Sequence, residues 1–309
     1  MVSKLSKTLF RLKARTFFPW LKWKLSPKTK IADPVLREKE VAKVTLGYIP
    51  DLDNPKSLNE KFMWLKLFYR NDLWRRCADK LEVKTYLNEL GLSQFVPKVL
   101  GGPYPNSGGI DLTKLPKRFV LKTNHDCGSV FLCEQGKTDF KKVFSALDVS
   151  LHSKYSARGG NDEWVYDKIK PIIFAEEVLG PYTGGDLCDY KFFCFNGEPK
   201  FLYVLSNRNV DERLNLKTLD YQDIDCIHVM LKNKHLPKEP PFGFEEMKSV
   251  ASKIAKHFGF VRVDFYATKQ GPKIGELTFF PTSGHGAFYP RKYDYEFGSY
   301  LDLSFAKND

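Results

Sequence analysis

Residues 261–266 read Val-Arg-Val-Asp-Phe-Tyr, and residues 273–279 read Lys-Ile-Gly-Glu-Leu-Thr-Phe. Each is an apolar, strand-like run interrupted by an acid, and the short Lys-Gln-Gly-Pro turn between them predicts a β-hairpin. Asp264 and Glu276, twelve residues apart, can then lie side by side on neighbouring antiparallel strands. Two adjacent carboxylates in an apolar setting repel each other and lose hydration. A divalent cation removes both problems, and Mg²⁺ favours one or two carboxylates together with phosphate oxygens. Two edge-strand acids paired with Arg262 and a lysine would satisfy the same pattern.

Working outward, Phe119-Val120-Leu121-Lys122 reads as a strand that ends in a cation just before Thr-Asn-His-Asp-Cys-Gly-Ser. A lysine there can meet phosphates, and the Gly128-Ser129 turn can offer backbone N–H groups to oxyanions. A solvated strand-end lysine is the plainer alternative. Neither GxxxxGK[ST] nor a GxGxxG following a strand is present, so a P-loop and a Rossmann fingerprint are excluded. The strand from Ile172 ends in Glu176 and Glu177. Such an edge can offer backbone groups to an adenine ring and a carboxylate to ribose hydroxyls, or it can simply be a polar strand end. Lys191 and Arg208 add cations beside a second predicted hairpin, Tyr190–Phe195 with Lys200–Leu205, which turns at Asn196-Gly197. In Ser283-Gly284-His285-Gly286 the glycines allow close backbone approach, so His285, Ser283 and Gly284 are candidates for substrate contact, with an ordinary loop as the alternative. No histidine spacing suits zinc.

The remaining periodicity predicts helices over Pro34–Val44, from Ser57-Leu58-Asn59-Glu60 onward with a capping box, over Leu73–Leu90, over 138–153 and over Phe244–Phe258. Strands and helices mix without strict βαβ alternation, which predicts an α+β protein rather than a doubly wound sheet. The expected organisation is a basic segment over 1–30, a helical region over 31–117, a small lobe over 118–180 and a large lobe over 181–309.

The formal charge of +12 does not imply a nucleic-acid partner. Nine basic residues and no acid fall within 1–30, so the body of the chain is close to neutral and presents no broad basic groove. That segment interleaves Phe17, Phe18, Trp20 and Trp23 with its cations, a composition suited to a membrane surface or to packing on protein. No run of about 18 apolar residues is present to span a bilayer. The six cysteines form no CxxC pair and read as free thiols of a reducing cytoplasm.

Taken in order, several stretches resemble the ATP-grasp superfamily and, more narrowly, the TupA-like ATP-grasp family found with bacterial surface-polysaccharide genes. They are Ser57-Leu58-Asn59-Glu60-Lys61, Ala78-Asp79-Lys80, Phe119–Lys122, Ala175-Glu176-Glu177, Asp189–Gly197, Arg262–Tyr266 and Gly275–Phe279. The resemblance covers roughly residues 54–303 and implies two α+β lobes clasping Mg-ATP. It implies that Lys80 and Lys122 contact the phosphates, that the Gly128-Ser129 loop covers them, and that Glu176, Glu177, Val178 and Leu179 form the adenine hinge. Lys191 and Arg208, with Arg262, would act on the transferred phosphoryl group, while Asp264 and Glu276 would hold Mg²⁺. Many members carry Asn two residues after the metal glutamate. Here Thr278 stands there, which leaves a hydroxyl as the third possible ligand.

The implied activity is carboxylate–amine ligation on a uronic-acid-bearing glycan or its lipid-linked precursor, with an amino acid or amino sugar as the amine. The implied place of work is the inner face of the cytoplasmic membrane, reached through residues 1–30. A glycosyltransferase and an ATP-dependent sugar kinase are the competing activities. Asp51-Leu52-Asp53, the one DxD-like stretch weighed for the former, lies in an early loop remote from the other polar clusters.

Overall fold

Capping chemistry sets the N-terminal region. In the computed structural model, which describes residues 31–126, 128–153, 162–181, 187–206, 213–228 and 238–306, Asp33 accepts hydrogen bonds from the Val35 and Leu36 amides and Pro34 opens helix α1 (Pro34–Thr45). Ser57 and Glu60 form the predicted capping box of α2 (Leu58–Phe68). The single helix expected over Leu73–Leu90 is two, α3 (Asp72–Ala78) and α4 (Glu82–Glu89). Asp79 ends the first and, through Oδ1, accepts from the Leu81 and Glu82 amides at 2.8 and 3.2 Å. The break frees the Lys80 amide to donate to the Asn124 carbonyl at 3.0 Å, so Lys80 leaves the helix surface and joins the neighbouring sheet.

That sheet has the order β1-β4-β2-β3, all antiparallel, with β1 (Val99–Tyr104), β2 (Arg118–Thr123), β3 (Val130–Glu134) and β4 (Ile173–Glu176). Helix α5 (Phe140–Leu151) covers it over a core of Phe119, Leu121, Cys133, Leu147, Ile173 and Ala175. β1 belongs to this sheet although the sequence reading drew the boundary at 117/118. Its Val-Leu-Gly-Gly-Pro-Tyr composition carries no alternation to betray a strand.

The larger sheet runs β11-β10-β5-β6-β7-β8, built from β5 (Asp189–Phe195), β6 (Glu198–Ser206), β7 (Arg213–Thr218), β8 (Asp223–Ile224), β10 (Phe260–Thr268) and β11 (Gly271–Thr278). Strand β9 (Ile227–His228) pairs instead with β12 (Phe288–Tyr289). Both predicted hairpins are present, β5–β6 and β10–β11. Strand alternation divides the faces. Val261, Val263 and Phe265 point with Phe192 toward α6 (Phe244–Ala255), whereas Arg262 and Asp264 point to the other face. At one end that second face is also core, where Phe193, Phe195, Phe201 and Phe260 pack against Phe62 of α2 and Phe297 of α7 (Lys292–Ser299).

A buried polar cluster ties the helical region to the chain after β11. Lys66 of α2 and Glu38 of α1 are each 1% exposed and pair at 2.9 Å. Lys66 Nζ also donates to the Ser283 carbonyl at 2.9 Å and to its hydroxyl at 3.0 Å, and Ser283 in turn bonds Glu163. Burial would raise the Glu38 carboxyl, but Lys66 and His285 overcome it and hold it at about 2. Burial wins at Glu163, whose carboxyl is pushed up to about 8 despite the attraction of Lys66 and Arg262.

Two tests follow from this packing. A Cβ on Gly298 of α7 would overlap the Lys56 carbonyl and the Leu58 amide at the start of α2. Gly298→Ala is therefore expected to cost about 1–3 kcal/mol in urea denaturation. Stability drawn from protonated Glu163 is complete below its ordinary value of 4.5 and is lost as pH rises through about 8. Unfolding free energy is expected to decline between about pH 5 and about pH 8, and Glu163→Gln should flatten that decline.

Candidate functional site

The site is built on one row of the large sheet. Register places Glu276 of β11 opposite Asp264 of β10, and Asp264 opposite Lys191 of β5. A register shift between Asp264 and Phe265 locates a bulge in β11 beside Gly275. The bulge leaves Glu276 and Thr278 on the same face as Asp264 and Arg262.

The two carboxylates differ in surroundings. Asp264 is 3% exposed and fully engaged: Lys191 Nζ bonds Oδ2, while Arg262 bonds Oδ1 through Nε and Oδ2 through Nη2, both at 2.7 Å. Arg262 Nη2 reaches further, to the Thr278 hydroxyl at 3.0 Å and to Glu276 Oε1 at 3.5 Å. Glu276 keeps 37% of its side chain open to solvent. Desolvation would raise its carboxyl, but Lys191, Lys80 and Arg262 together hold it down at about 2. Glu276 is therefore a carboxylate at neutral pH, aimed at space that solvent can enter.

The two acids are adjacent, as the hairpin predicts, and Arg262 and Lys191 compensate their charge. Among the described residues no group of three or more His, Cys, Asp and Glu is gathered to hold a metal. Two carboxylates and a hydroxyl nevertheless fit a hard cation that takes its remaining ligands from phosphate and water.

Facing this row is the loop after β2. Thr123, Ser129 and Ser150 all donate to the buried Asp126 carboxylate, at 2.6, 2.7 and 2.7 Å. The Ser129 hydroxyl is thereby turned inward, and Gly128, at φ +109° with open space around it, is the exposed point of the turn. Lys80 Nζ donates to the Asp126 carbonyl and is close enough to Glu276 to lower its pKa, so it spans the two sheets. His125 is buried beneath the same loop, and desolvation lowers its pKa.

On the far side, Glu176 receives Lys122 from β2 and Lys84 from α4, the latter at 2.5 Å. Glu177 instead caps the chain at Lys98, accepting from its amide at 2.8 Å. Val178 and Leu179 follow as half-buried coil, and Pro181 bridges to Thr268 at the end of β10. The short segment from Glu176 to Pro181 thus joins the two sheets.

The structure brings together Lys80, Lys191, Arg262, Asp264, Glu276 and Thr278, and groups Lys122 with Glu176. It places the side chains of Ser283 and His285 elsewhere. Ser283 is bound by Lys66, and His285 lies between Glu38 and Thr45, its two nitrogens each 3.1 Å from their oxygens. Gly284 packs on Asn59 and Met63 of α2. Arg208 lies outside the described residues. The DxD-like stretch is structural, since Asp51 caps the Asp53 and Asn54 amides and Leu52 is buried against the helical region. The sequence reading missed Lys84 and Asp126. Lys84 falls four residues after Lys80 in sequence, the only signal it carries; Asp126 showed nothing beyond a polar loop. The described cysteines are free, and no described helix is long and apolar enough to cross a membrane.

A profile of the family described as TupA-like ATPgrasp matches residues 60–302. No curated protein matches the chain. Among solved structures it is similar to the D-alanine–D-alanine ligase of Bacillus anthracis complexed with ATP, at 16% identity and TM-score 0.36, over 66% of this chain and 54% of that one. It is similar to the L-amino acid ligase of Bacillus licheniformis at 14% identity and TM-score 0.39, over 80% and 48%. The D-alanine–D-alanine ligase of Helicobacter pylori is similar at 15% identity and TM-score 0.42, over 80% and 70%. The chain thus spans about half the length of the first two. With four-fifths of the chain inside the profile, the chain belongs to the TupA-like ATP-grasp family.

Proposed function

We propose that this chain is an ATP-dependent carboxylate–amine ligase that works through an acyl phosphate. The acceptor is read as the carboxylate of a uronic-acid-bearing surface glycan or its lipid-linked precursor, and the amine as an amino acid or amino sugar. The observation that carries the reading is the row Glu276–Asp264–Lys191 with Arg262 beside it, two anions and two cations on one cleft-facing surface.

In this reading Asp264 and Glu276, assisted by Thr278, hold Mg²⁺, which supplies neutralisation of the triphosphate charge. Lys80 and Lys122 orient the phosphates, Gly128 lets the turn approach them closely, and Glu176 to Leu179 receive the adenosine. A carboxylate is a poor electrophile. When its oxygen takes the γ-phosphoryl group ADP departs, and the acyl carbon gains phosphate as a leaving group. Lys191 and Arg262 stabilise the charge that spreads over the transferred group, and Arg208 is assigned the same task. The amine then attacks the acyl carbon, phosphate leaves, and the ammonium proton is lost to solvent. No nucleophilic side chain is required, and the turn at Gly128 limits access of water to the acyl phosphate.

The test is ADP and phosphate release against a panel of uronic acids and amino acids. Equal release of both, dependent on a carboxylate and an amine, is expected. ADP without phosphate would replace the reading by a sugar kinase, and turnover of UDP-sugars without ATP would replace it by a glycosyltransferase. Asp264→Asn and Glu276→Gln are each expected to lower turnover by at least about 10²-fold, with the melting transition retained in the solvent-facing Glu276→Gln, and full activity in either would remove the metal assignment. The basic aromatic segment 1–30 is proposed to hold the enzyme at the inner membrane surface. Its deletion should abolish sedimentation with anionic vesicles while leaving phosphate release intact.

A further inference from the structure

Lysine is rarely buried, and Lys66 is buried completely on the apolar stripe of α2, between Phe62 and Tyr69. Its ammonium group has three donors and three partners: Glu38 Oε1, the Ser283 carbonyl and the Ser283 hydroxyl. The loop it grips, Pro281–Gly284, carries two successive non-glycine residues in the left-handed region, Thr282 at φ +49° and Ser283 at φ +57°. Such backbone is uphill by about 1 kcal/mol or more per residue and persists only where neighbouring structure over-determines it. The neighbouring structure is α2. Lys66 holds Ser283, Asn59 Nδ2 donates to the Gly286 carbonyl at 2.9 Å, and a Cβ at Gly284 would press on the Asn59 carbonyl and Met63 at 3.1 Å.

The position of this loop gives the grip its meaning. The chain leaves β11 after Thr278 and reaches β12, which pairs with β9 beside β7. It therefore crosses the sheet face from the metal-side edge toward the opposite side. On the way Glu163, bonded to Ser283, comes within electrostatic reach of Arg262. We propose that Lys66 is a positioning residue: from a helix outside both nucleotide-binding sheets, it fixes the Pro281–Gly284 loop as the wall against which the acceptor carboxylate is presented to Arg262. This rests on the ligase reading of the same site. Lys66 touches neither nucleotide-side cation nor metal-side acid, so its effect falls on the acceptor and spares Mg-ADP.

Lys66→Met alone would strand the buried Glu38 carboxylate and can unfold the chain. The informative variant is therefore Glu38→Gln/Lys66→Met, which removes both charges. Mg-ADP affinity is expected to match wild type, while kcat/KM for the responding carboxylate falls by about 10²-fold, mostly through KM. Hydrogen–deuterium exchange should rise in the peptide 279–287 and not in 189–195. Adding Thr282→Gly, which accepts positive φ without strain and loses only a bond to its own Pro281 carbonyl, should recover part of both effects. A merely stabilising role for Lys66 predicts no such rescue. Unchanged carboxylate KM, unchanged loop exchange, or exchange rising equally in both peptides would each overturn the proposal. If wild type turns over no carboxylate, the ligase reading fails by itself, and the exchange and its glycine rescue still decide whether Lys66 sets the loop.

Discussion

Everything in the cleft depends on how Asp264 is neutralised. Its carboxylate is nearly inaccessible to water, sits beside a second carboxylate, and is tolerated because Arg262 and Lys191 bond both of its oxygens. Burial of an unpaired charge would cost several kcal/mol, so the acid and its two cations form one unit. That unit needs two strands in register, since Arg262 and Asp264 are two residues apart on β10 and Lys191 comes from β5. Glu276 is then added from β11 at the open edge, where it retains solvent access. The inner acid organises cations, and the outer acid faces the space where a ligand can enter.

Aromatic packing supports this row from both faces of the sheet. Phe192 and Phe265 pack edge to face beneath it against α6, and Phe193, Phe201, Phe260 and Phe297 continue the stack on the other face. A large share of the aromatic content is spent beside the charged strands, where rigid rings fix backbone positions better than flexible aliphatic chains. The N-terminal helices add apolar contacts, Phe62 on Phe260 and Trp74 on Phe279, and polar ones: Lys80, in the break between α3 and α4, reaches between the sheets, and Lys66 and Asn59 shape the loop that follows β11.

Much of this was legible in the chain alone. The two hairpins could be read because β-branched and aromatic residues flank short turns, and the pairing of Asp264 with Glu276 follows from hairpin geometry once the turn is placed. The capping box at Ser57 and Glu60 was likewise explicit. Other features were written in ways a periodicity argument cannot resolve. The break between α3 and α4 depends on Asp79 preferring two local amides over continuation of the helix, and the amphipathic pattern runs through it unchanged. β1 hides in a Gly-Gly-Pro sequence. Ser283 and His285 attracted a functional reading because they stand among glycines. What the glycines do not reveal is that these side chains meet Lys66 and Glu38, whose ion pair joins segments far apart in sequence and leaves no local trace.

The connection between the two sheets is tethered at both ends. Glu177 is stitched to Lys98 by two hydrogen bonds, and Pro181 is bridged to Thr268. Only Val178, Leu179 and Gly180 stand between those anchor points, and a side chain at Gly180 would meet nothing. Any swing of one sheet against the other at this seam must be taken up by torsions in three residues. The seam is thus a short link anchored at both ends rather than a slack strap.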